Sequence, residues 1–190
     1  MKFIRTALPD VVIIEPAVMG DERGYFVETF RQDKLNAFLG FAINFVQDNE
    51  SKSSYGVLRG LHYQLAPAAQ TKLVRVIKGK VLDVAVDIRA GSPTFGQHVS
   101  VELSEQNKRQ LLVPRGFAHA FVVLEDDTVF AYKVDNYYSP ENDRGIAFDD
   151  PALGINWIVA KDSLKLSGKD TQQVALANAE VFTFEQDYYA

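Results

Sequence analysis

The spacing of apolar runs is the feature that most constrains the fold of this chain. Short runs rich in valine, isoleucine, phenylalanine, tyrosine and leucine recur along it, and turn residues separate them at short intervals. Short strands at this spacing favour an antiparallel sandwich or barrel over alternating strands and helices. The runs cover residues 11–15, 25–30, 44–48, 57–65, 73–77, 81–88, 98–103, 110–113, 119–124 and 128–134.

Local patterns add detail to this all-β prediction. Residues 72–88 contain two apolar runs joined at Gly79, which predicts a β-hairpin with a positive-φ turn. Residues 32–39 carry apolar side chains at helical spacing, and Gly40 is placed to end a short helix there. After Pro151 the pattern is mixed, so we expect short helices and loops that close one end.

Composition limits the organisation of the chain and its chemistry. With 190 residues, of which 47% are hydrophobic, we expect a single domain over residues 1–190 with one sizeable core. The sequence contains no cysteine, which excludes disulfide scaffolds, thiol nucleophiles and cysteine-based zinc sites.

Charge and hydropathy limit the partners. The formal net charge is −5 and no basic stripe occurs, so no nucleic-acid partner is expected. No window reaches the roughly 18 apolar residues of a membrane span, so we expect no membrane partner and a soluble, cytoplasmic protein. An anionic small molecule would need a few Arg and Lys side chains gathered in a cleft.

The run around His62 is the strongest candidate for chemistry. In the strand-like segment 58–64, His62 and Gln64 share one face because side chains alternate along a strand. Arg59 precedes His62 by three residues, so in a regular strand its side chain would point to the opposite face. Gly60 lies between and is expected to form a β-bulge that turns Arg59 and His62 into one pocket.

A metal-binding cupin is the first enzymatic alternative. Residues 114–119 read P-R-G-F-A-H, the turn-and-strand pattern of cupins. A cupin metal site needs an H-x-H pair and a nearby carboxylate, whereas here Gln64 replaces the second histidine and no Glu follows. Val123 stands where a further polar ligand is expected after His119. We therefore predict that no metal is bound.

Seven blocks of the sequence carry a resemblance that extends, in register, over nearly the whole chain. They are residues 20–26, 45–49, 57–64, 72–76, 114–119, 132–140 and 167–170. Together these blocks resemble the dTDP-4-dehydrorhamnose 3,5-epimerase family. The resemblance implies a cupin-like double-stranded β-helix (a jelly-roll barrel) with a few short helices, which forms a homodimer. It also implies conversion of dTDP-4-dehydro-6-deoxy-D-glucose to dTDP-4-dehydro-L-rhamnose without a cofactor.

The resemblance also assigns roles to residues of this chain. His62 is the expected general base, Asp170 its orienting carboxylate, Tyr132 the general acid and Lys72 the group that stabilises an enolate. The expected substrate-binding residues are Arg23, Phe26, Glu28, Gln47, Asp48, Asn49, Arg59, His119, Tyr138, Asp143 and Lys169. Tyr138 is expected to offer a stacking surface, and Asp143 stands where many relatives carry Glu.

These residue types suit the implied reaction. The hydrogens on C3 and C5 both flank the C4 ketone, so one base and one electrophile serve both centres. A histidine base works near neutral pH, and a carboxylate on its other ring nitrogen fixes the tautomer. Inversion needs a proton donor on the opposite face of the sugar, and a tyrosine such as Tyr132 is a suitable neutral donor.

Other functions stay open at the level of sequence. The chain could invert only C3 or only C5, or act as a 3,4-ketoisomerase on the same scaffold. A non-catalytic cupin that binds sugar nucleotides is the alternative from a different class. The presence of His62, Tyr132 and Asp170 together argues against it, since binding alone needs neither a base nor an acid.

Overall fold

Antiparallel strands dominate the computed structural model, which describes residues 1–189. A single α-helix, α1 (Gln32–Leu39), and short 3₁₀ helices at Lys161–Ser163, Asp170–Gln172 and Leu176–Asn178 accompany them in this range. No helix of these 189 residues has the length and apolarity to cross a membrane. The strands are β1 (Lys2–Arg5), β2 (Val12–Glu15), β3 (Val18–Asp21), β4 (Gly24–Val27), β5 (Gln47–Ser53), β6 (Leu58–Gln64), β7 (Lys72–Lys78), β8 (Lys80–Asp87), β9 (Arg89–Ala90), β10 (His98–Ser104), β11 (Gln110–Val113), β12 (Phe117–Val123), β13 (Thr128–Val134), β14 (Asp143–Gly145) and β15 (Phe182–Thr183).

Two main sheets form the body of the fold. One has the strand order β1-β2-β11-β7-β13-β5 and the other the order β10-β8-β12-β6-β14. From β6 to β8 and again from β10 to β14, consecutive strands alternate between the two sheets. This alternation is the connectivity of a double-stranded β-helix, so the predicted all-β, cupin-like fold class is confirmed.

The predicted hairpin over residues 72–88 is wrong. Strand β7 pairs with β11 and β13, whereas β8 pairs with β10 and β12 in the other sheet. Gly79 does have a positive φ of 80°, as expected, but the chain crosses between sheets there instead of folding back. A turn predicted from sequence does not indicate with which other strands the two flanking strands pair.

The remaining local predictions hold, with shifted boundaries. Helix α1 spans the expected residues and ends at Gly40, whose φ is 84° and whose N–H donates to the carbonyl of Asn36 at 2.9 Å. The run at 44–48 overlaps only the start of β5, which continues to Ser53. Its polar sequence, QDNESKS, alternates between exposed and half-buried positions at a sheet edge, so it lacks an apolar signal.

Three apolar clusters hold the layers together. The space between the sheets is filled mainly by valine, leucine and phenylalanine side chains from both. Helix α1 packs through Leu35 on the outer face of the six-stranded sheet. Beyond residue 146, side chains such as Phe148 and Trp157 pack on the outer face of the five-stranded sheet. The segment after Pro151 thus forms the expected short helices and loops, but its apolar residues cover a sheet face.

A β-bulge in β6 is the irregularity that matters most for the cleft. His119 on β12 pairs with His62 on β6, and Phe121 pairs with Arg59. Between these two pairs, β6 therefore contains one residue more than β12. Gly60 has a φ of 121° at the bulge. The bulge predicted at Gly60 is confirmed.

Gly60→Ala tests how tightly this bulge is built. A Cβ at Gly60 would lie 2.5 Å from the carbonyl oxygen of His119 and 2.6 Å from the Cβ of Ala120. Backbone strain and overpacking should together lower the free energy of unfolding by about 2–4 kcal/mol, measured by urea denaturation. Gly154→Ala is the control, because Gly154 also has a positive φ but its Cβ would meet nothing within 4 Å. Equal losses in the two variants would contradict the close contact.

Candidate active site

A cleft opens between the two main sheets. It consists of two adjoining hollows of about 480 and 420 Å³, both lined by His62, Lys72 and Tyr132. This size is typical of small-molecule sites. His62 comes from β6 in the five-stranded sheet, whereas Lys72 and Tyr132 come from β7 and β13 in the six-stranded sheet. A molecule in the cleft therefore lies between groups from opposite sheets.

His62 is held by a buried carboxylate. Its Nε2 lies 2.5 Å from Oδ1 of Asp170, and Asp170 is only 3% exposed. The other carboxylate oxygen of Asp170 accepts a hydrogen bond from the Ser167 hydroxyl at 2.7 Å. The structure thus brings together two residues that are 108 positions apart.

The hydrogen bonds around Asp170 keep it ionised. Burial raises the pKa of its carboxyl group, but the hydrogen bonds from His62 and Ser167, with a smaller effect of the Gly60 backbone, outweigh burial and hold that pKa below its ordinary value. An ionised carboxylate only accepts hydrogen bonds, so Nε2 of His62 carries the shared proton. The remaining ring nitrogen, Nδ1, is then free to accept a proton from a substrate.

Tyr132 provides a proton donor on the other side of the cleft. Burial raises the pKa of its phenol, while the positive charge of Arg59 acts in the opposite direction. The net shift is upward, so Tyr132 is a neutral phenol at neutral pH. It can therefore donate a proton.

Lys72 is a half-buried cation of the cleft. Burial lowers the pKa of its ammonium group to about 8, while the negative charges of Asp143 and Asp83 oppose this shift and Lys169 adds to it. Within residues 1–189 the ammonium group makes no ion pair. It is therefore a positive charge with no fixed counter-ion in contact, positioned for an anionic partner.

The second hollow carries the polar side chains that the resemblance assigns to binding. The Tyr138 hydroxyl donates to Oδ2 of Asp143 at 2.9 Å, and the same oxygen is paired with the Lys169 ammonium. Gln47 donates to the side chain of Asn49 at 2.8 Å. All five residues line this hollow. Tyr138 is 60% exposed, so its ring is available for stacking.

The first hollow carries two further predicted binding residues, Arg59 and His119. The guanidinium group of Arg59 donates to the Ser53 hydroxyl at 3.2 Å. Lys165 lies in the same hollow. With Lys72 and Lys169, the cleft thus gathers cationic side chains in a protein of net negative charge, as the sequence led us to expect for an anionic substrate.

Asp48 does not line the cleft with its neighbours Gln47 and Asn49. Side chains alternate along β5, so Asp48 lies on the opposite face, where both carboxylate oxygens accept from Lys133 at 2.9 Å. Its predicted substrate contact stays a prediction without support from this geometry.

Three more of the predicted binding residues lie outside the cleft. Arg23 lies in the turn between β3 and β4, where it pairs with Asp21. Phe26 belongs to β4 and is 65% exposed. Glu28 follows that sheet and pairs with Lys34 at 3.2 Å. In a single chain, these three residues are therefore not brought together with His62.

The sequence interpretation missed a second histidine–carboxylate pair. Nε2 of His119 lies 2.9 and 3.0 Å from the two carboxylate oxygens of Asp83, which is fully buried on β8. The available signal was a charged residue inside the otherwise apolar run 81–86, since a buried charge requires a partner. Ser167 was also missed, because nothing in its local sequence indicates which carboxylate it contacts.

Gln64 stands where a metal-binding cupin has the second histidine of its H-x-H pair, and here it has a structural role. It is buried, and its amide group donates to the carbonyls of Ala68 and Tyr137 and accepts from the backbone N–H of Ser139. These bonds fix the loop that carries Tyr138. Among residues 1–189, no group of three or more His, Asp or Glu side chains is arranged to hold a metal ion. The expectation that the protein binds no metal stays a prediction.

Comparisons with known proteins agree on one family. The model of the dTDP-4-dehydrorhamnose 3,5-epimerase family matches residues 5–178. A dTDP-4-dehydrorhamnose 3,5-epimerase from Shigella flexneri is 53% identical over 182 residues, which make up 96% of this chain and 99% of that protein.

Solved structures give the same result in three dimensions. A dTDP-6-deoxy-D-glucose-3,5-epimerase from Legionella pneumophila, in complex with dTDP-4-keto-L-rhamnose, superposes with a TM-score of 0.93 at 47% identity and covers 97% of this chain and 99% of its own. A 3′-monoepimerase from Streptomyces bikiniensis, in complex with dTDP-quinovose, has a TM-score of 0.87 at 32% identity, covering 94% and 92%.

The titration of Lys72 tests the electrostatics of the cleft. We expect its ammonium group to titrate with a pKa of about 8, because burial disfavours the charged form. Lysine side chains labelled with ¹³C and ¹⁵N can be followed by NMR from pH 6 to 11, and Lys72→Met assigns the signal. Titration of this signal near the ordinary value of 10.5 would show that Lys72 is solvated.

Proposed function

The chain belongs to the dTDP-4-dehydrorhamnose 3,5-epimerase family, and we propose that its cleft converts dTDP-4-dehydro-6-deoxy-D-glucose to dTDP-4-dehydro-L-rhamnose. One observation carries this proposal. His62, with its carboxylate partner, and Tyr132, a neutral phenol, line the same cleft from opposite sheets. Inversion of a carbon needs a base and an acid on opposite faces of the sugar ring.

His62 starts the reaction as the general base. Its Nδ1 takes the proton from the carbon next to the C4 ketone, and the electrons of the broken C–H bond move onto the ketone oxygen to form an enolate. Asp170 holds the ring by its Nε2–H and favours the imidazolium that results. Ser167 holds Asp170 in turn.

Lys72 stabilises the enolate. Its ammonium group is positive below a pKa of about 8, and Lys72 lines both hollows of the cleft. A cation that is already in place costs no reorganisation when charge develops on the oxygen, and one such preorganised donor is worth about 10²- to 10³-fold in rate.

Tyr132 completes the inversion. It donates its phenolic proton to the carbon from the face opposite His62, and the enolate collapses to the ketone. C3 and C5 flank the same C4 ketone, so the same three groups serve both centres in turn. No cofactor is needed in this scheme, because the carbonyl of the substrate itself accepts the electrons.

We place the rest of the substrate in the second hollow and the adjoining part of the first, where Arg59 lies. We assign the nucleotide base to the exposed ring of Tyr138, beside Gln47 and Asn49. Arg59 and Lys169 contact the diphosphate by charge-assisted hydrogen bonds, and Arg can bind two oxygens at once. Asp143 already pairs with Lys169 and orients its ammonium group.

A mono-epimerase is the second candidate function. The Streptomyces bikiniensis 3′-monoepimerase shares this fold, so architecture alone does not separate inversion at one carbon from inversion at two. The 53% identity to an enzyme described as a 3,5-epimerase favours two. A 3,4-ketoisomerase and a non-catalytic binding protein are disfavoured, because neither requires the His62–Asp170 pair to face a proton donor. The compartment stays the expectation from sequence, the cytoplasm.

We also propose that the protein is a homodimer. Within residues 1–189, β3 and β4 pair with each other and with no further strand, and they expose Met19, Tyr25 and Phe26. Arg23 and Phe26 are expected to contact substrate, yet they lie outside the cleft of their own chain. A second copy that covers this sheet would bury its apolar side chains and bring both residues to the partner's cleft.

Variants of the base and the acid test the proposed reaction. In deuterated buffer, His62→Ala should lose both deuterium uptake and epimerisation by about 10²- to 10⁴-fold, because no enolate forms. Tyr132→Phe should still exchange deuterium, since His62 can return a deuteron to the same face, while inversion falls sharply. Proton NMR of the substrate reads both quantities.

A titration with dTDP is the control for these variants. Both should bind dTDP as the wild type does, because neither residue is assigned to the base or the diphosphate. Inversion by Tyr132→Phe at the wild-type rate, or normal deuterium exchange by His62→Ala, would show that the roles are wrong.

Light scattering tests the homodimer. At micromolar concentration we expect twice the chain mass of 21.2 kDa. Phe26→Ser should shift the equilibrium towards monomer, because it removes apolar surface from the proposed interface. Phe95→Ser is the matched control, since Phe95 is also an exposed phenylalanine but lies outside the β3–β4 sheet. A wild-type monomer at this concentration would reject the proposal.

A further inference from the structure

A fully buried carboxylate in β8 is not explained by the reaction described above. Asp83 is 0% exposed, and its neighbours in the strand are Leu82 and Val84. Burying a charge costs several kcal/mol unless it is paired and hydrogen-bonded. Asp83 does not line the cleft, so it cannot contact substrate directly.

Asp83 contacts the cleft through His119. Both of its carboxylate oxygens lie within 3.0 Å of Nε2 of His119, so this nitrogen carries a proton that the carboxylate accepts. No buried side-chain nitrogen of residues 1–189 lacks a hydrogen-bond partner, and no protein group bonds to Nδ1 of His119. Nδ1 is therefore open to the cleft, and His119 faces His62 directly across the β12–β6 pair.

Asp83 also acts on Lys72, which lines the same hollow as its partner His119. Its negative charge favours the ammonium form of Lys72, as does that of Asp143, while Lys169 disfavours it. Asp143 is already paired with Lys169. Asp83 thus supplies a negative charge near Lys72 that substrate cannot reach or displace.

We propose that Asp83 is a positioning residue that orients His119 towards the substrate and keeps Lys72 cationic while the enolate forms. This inference rests on the proposed epimerase function. One buried charge thereby serves two groups that line the same hollow. The negative charge of Asp83 stays in place while negative charge develops on the substrate oxygen and leaves it again.

Asp83→Asn separates the charge from the hydrogen bond, because the Asn side-chain oxygen still accepts from Nε2 of His119. Without the charge, the ammonium form of Lys72 is less favoured. In a profile of kcat against pH, the limb at high pH should therefore move to lower pH by roughly one unit. At pH 7.5, kcat should fall about 3-fold, because the cationic fraction of Lys72 drops from roughly three quarters to roughly one quarter, with KM little changed.

The other charges around these groups stay in place in this variant. They are Asp143 and Lys169 beside Lys72, and Arg59 and His62 on the strand that faces His119. Asp87→Asn is the matched control. Asp87 is a fully buried carboxylate of the same strand, but it bonds Arg89, Ser92 and Thr94 instead of a cleft residue. It should lower the melting temperature and leave the pH limb of kcat unchanged.

NMR of the wild-type protein tests the same idea without a variant. The ¹⁵N signals of His119, assigned with His119→Gln, should show a protonated Nε2 at pH 7 to 8. A proton on Nδ1 only, or an Asp83→Asn variant with the wild-type kcat and pH limb, would overturn the inference. These outcomes are distinct from failure of the proposed function, in which the wild-type enzyme itself exchanges no deuterium into the substrate.

Discussion

The close approach of Gly60 to strand β12 is the contact on which the cleft depends. No side chain fits at Gly60, because a Cβ there would lie 2.5 Å from the carbonyl oxygen of His119. The bulge that this contact permits turns both Arg59 and His62 into the cleft, although they are three residues apart in one strand. The same stretch of backbone also favours the ionised form of Asp170. One tight backbone contact thus places the base and one of the cleft's cations.

Buried carboxylates set the charge state of the cleft. Asp170 lines the first hollow, whereas Asp83 lies outside the lining of both, and each carboxylate accepts a hydrogen bond from the Nε2 of one histidine. Burial alone would push Asp170 towards the neutral form, so it needs its hydrogen-bond partners in order to stay charged. The pairing leaves Nδ1 of His62 as a proton acceptor, while Lys72 and Tyr132 present a cation and a proton donor from the other sheet. Inversion of a carbon requires a proton acceptor on one face of the sugar and a proton donor on the other, and the two sheets provide them.

Much of this fold could be predicted from the sequence, because local patterns decide local structure. Apolar runs located most strands, and Gly40 marked the end of the helix. The bulge at Gly60 followed from the phase difference between Arg59 and His62. The hairpin over 72–88 was wrong, since strand pairing in a double-stranded β-helix is decided by contacts far apart in the chain.

The site was less predictable from the residues alone. His62 could be singled out by its neighbours, but nothing in the spacing indicates that Asp170 lies against it. The role of Asp170 came from resemblance to a family, and the structure supplies the contact. Asp83 was missed because its partner His119 is 36 residues away on a different strand. Resemblance alone also has a limit, which Asp48 shows. It belongs to a block that resembles the family, yet the alternation of side chains along β5 turns it away from the cleft and towards Lys133.

The number of carbons inverted is the central claim, and wild-type enzyme in deuterated buffer tests it most directly. Purified protein is incubated with dTDP-4-dehydro-6-deoxy-D-glucose, and the sugar is followed by proton NMR. The account predicts loss of the proton signals at both C3 and C5 in deuterated buffer. A parallel reaction in ordinary water should give a product whose proton coupling constants at C3 and C5 are those of the L-rhamno configuration. Exchange or inversion at only one of these carbons would contradict it and identify a mono-epimerase.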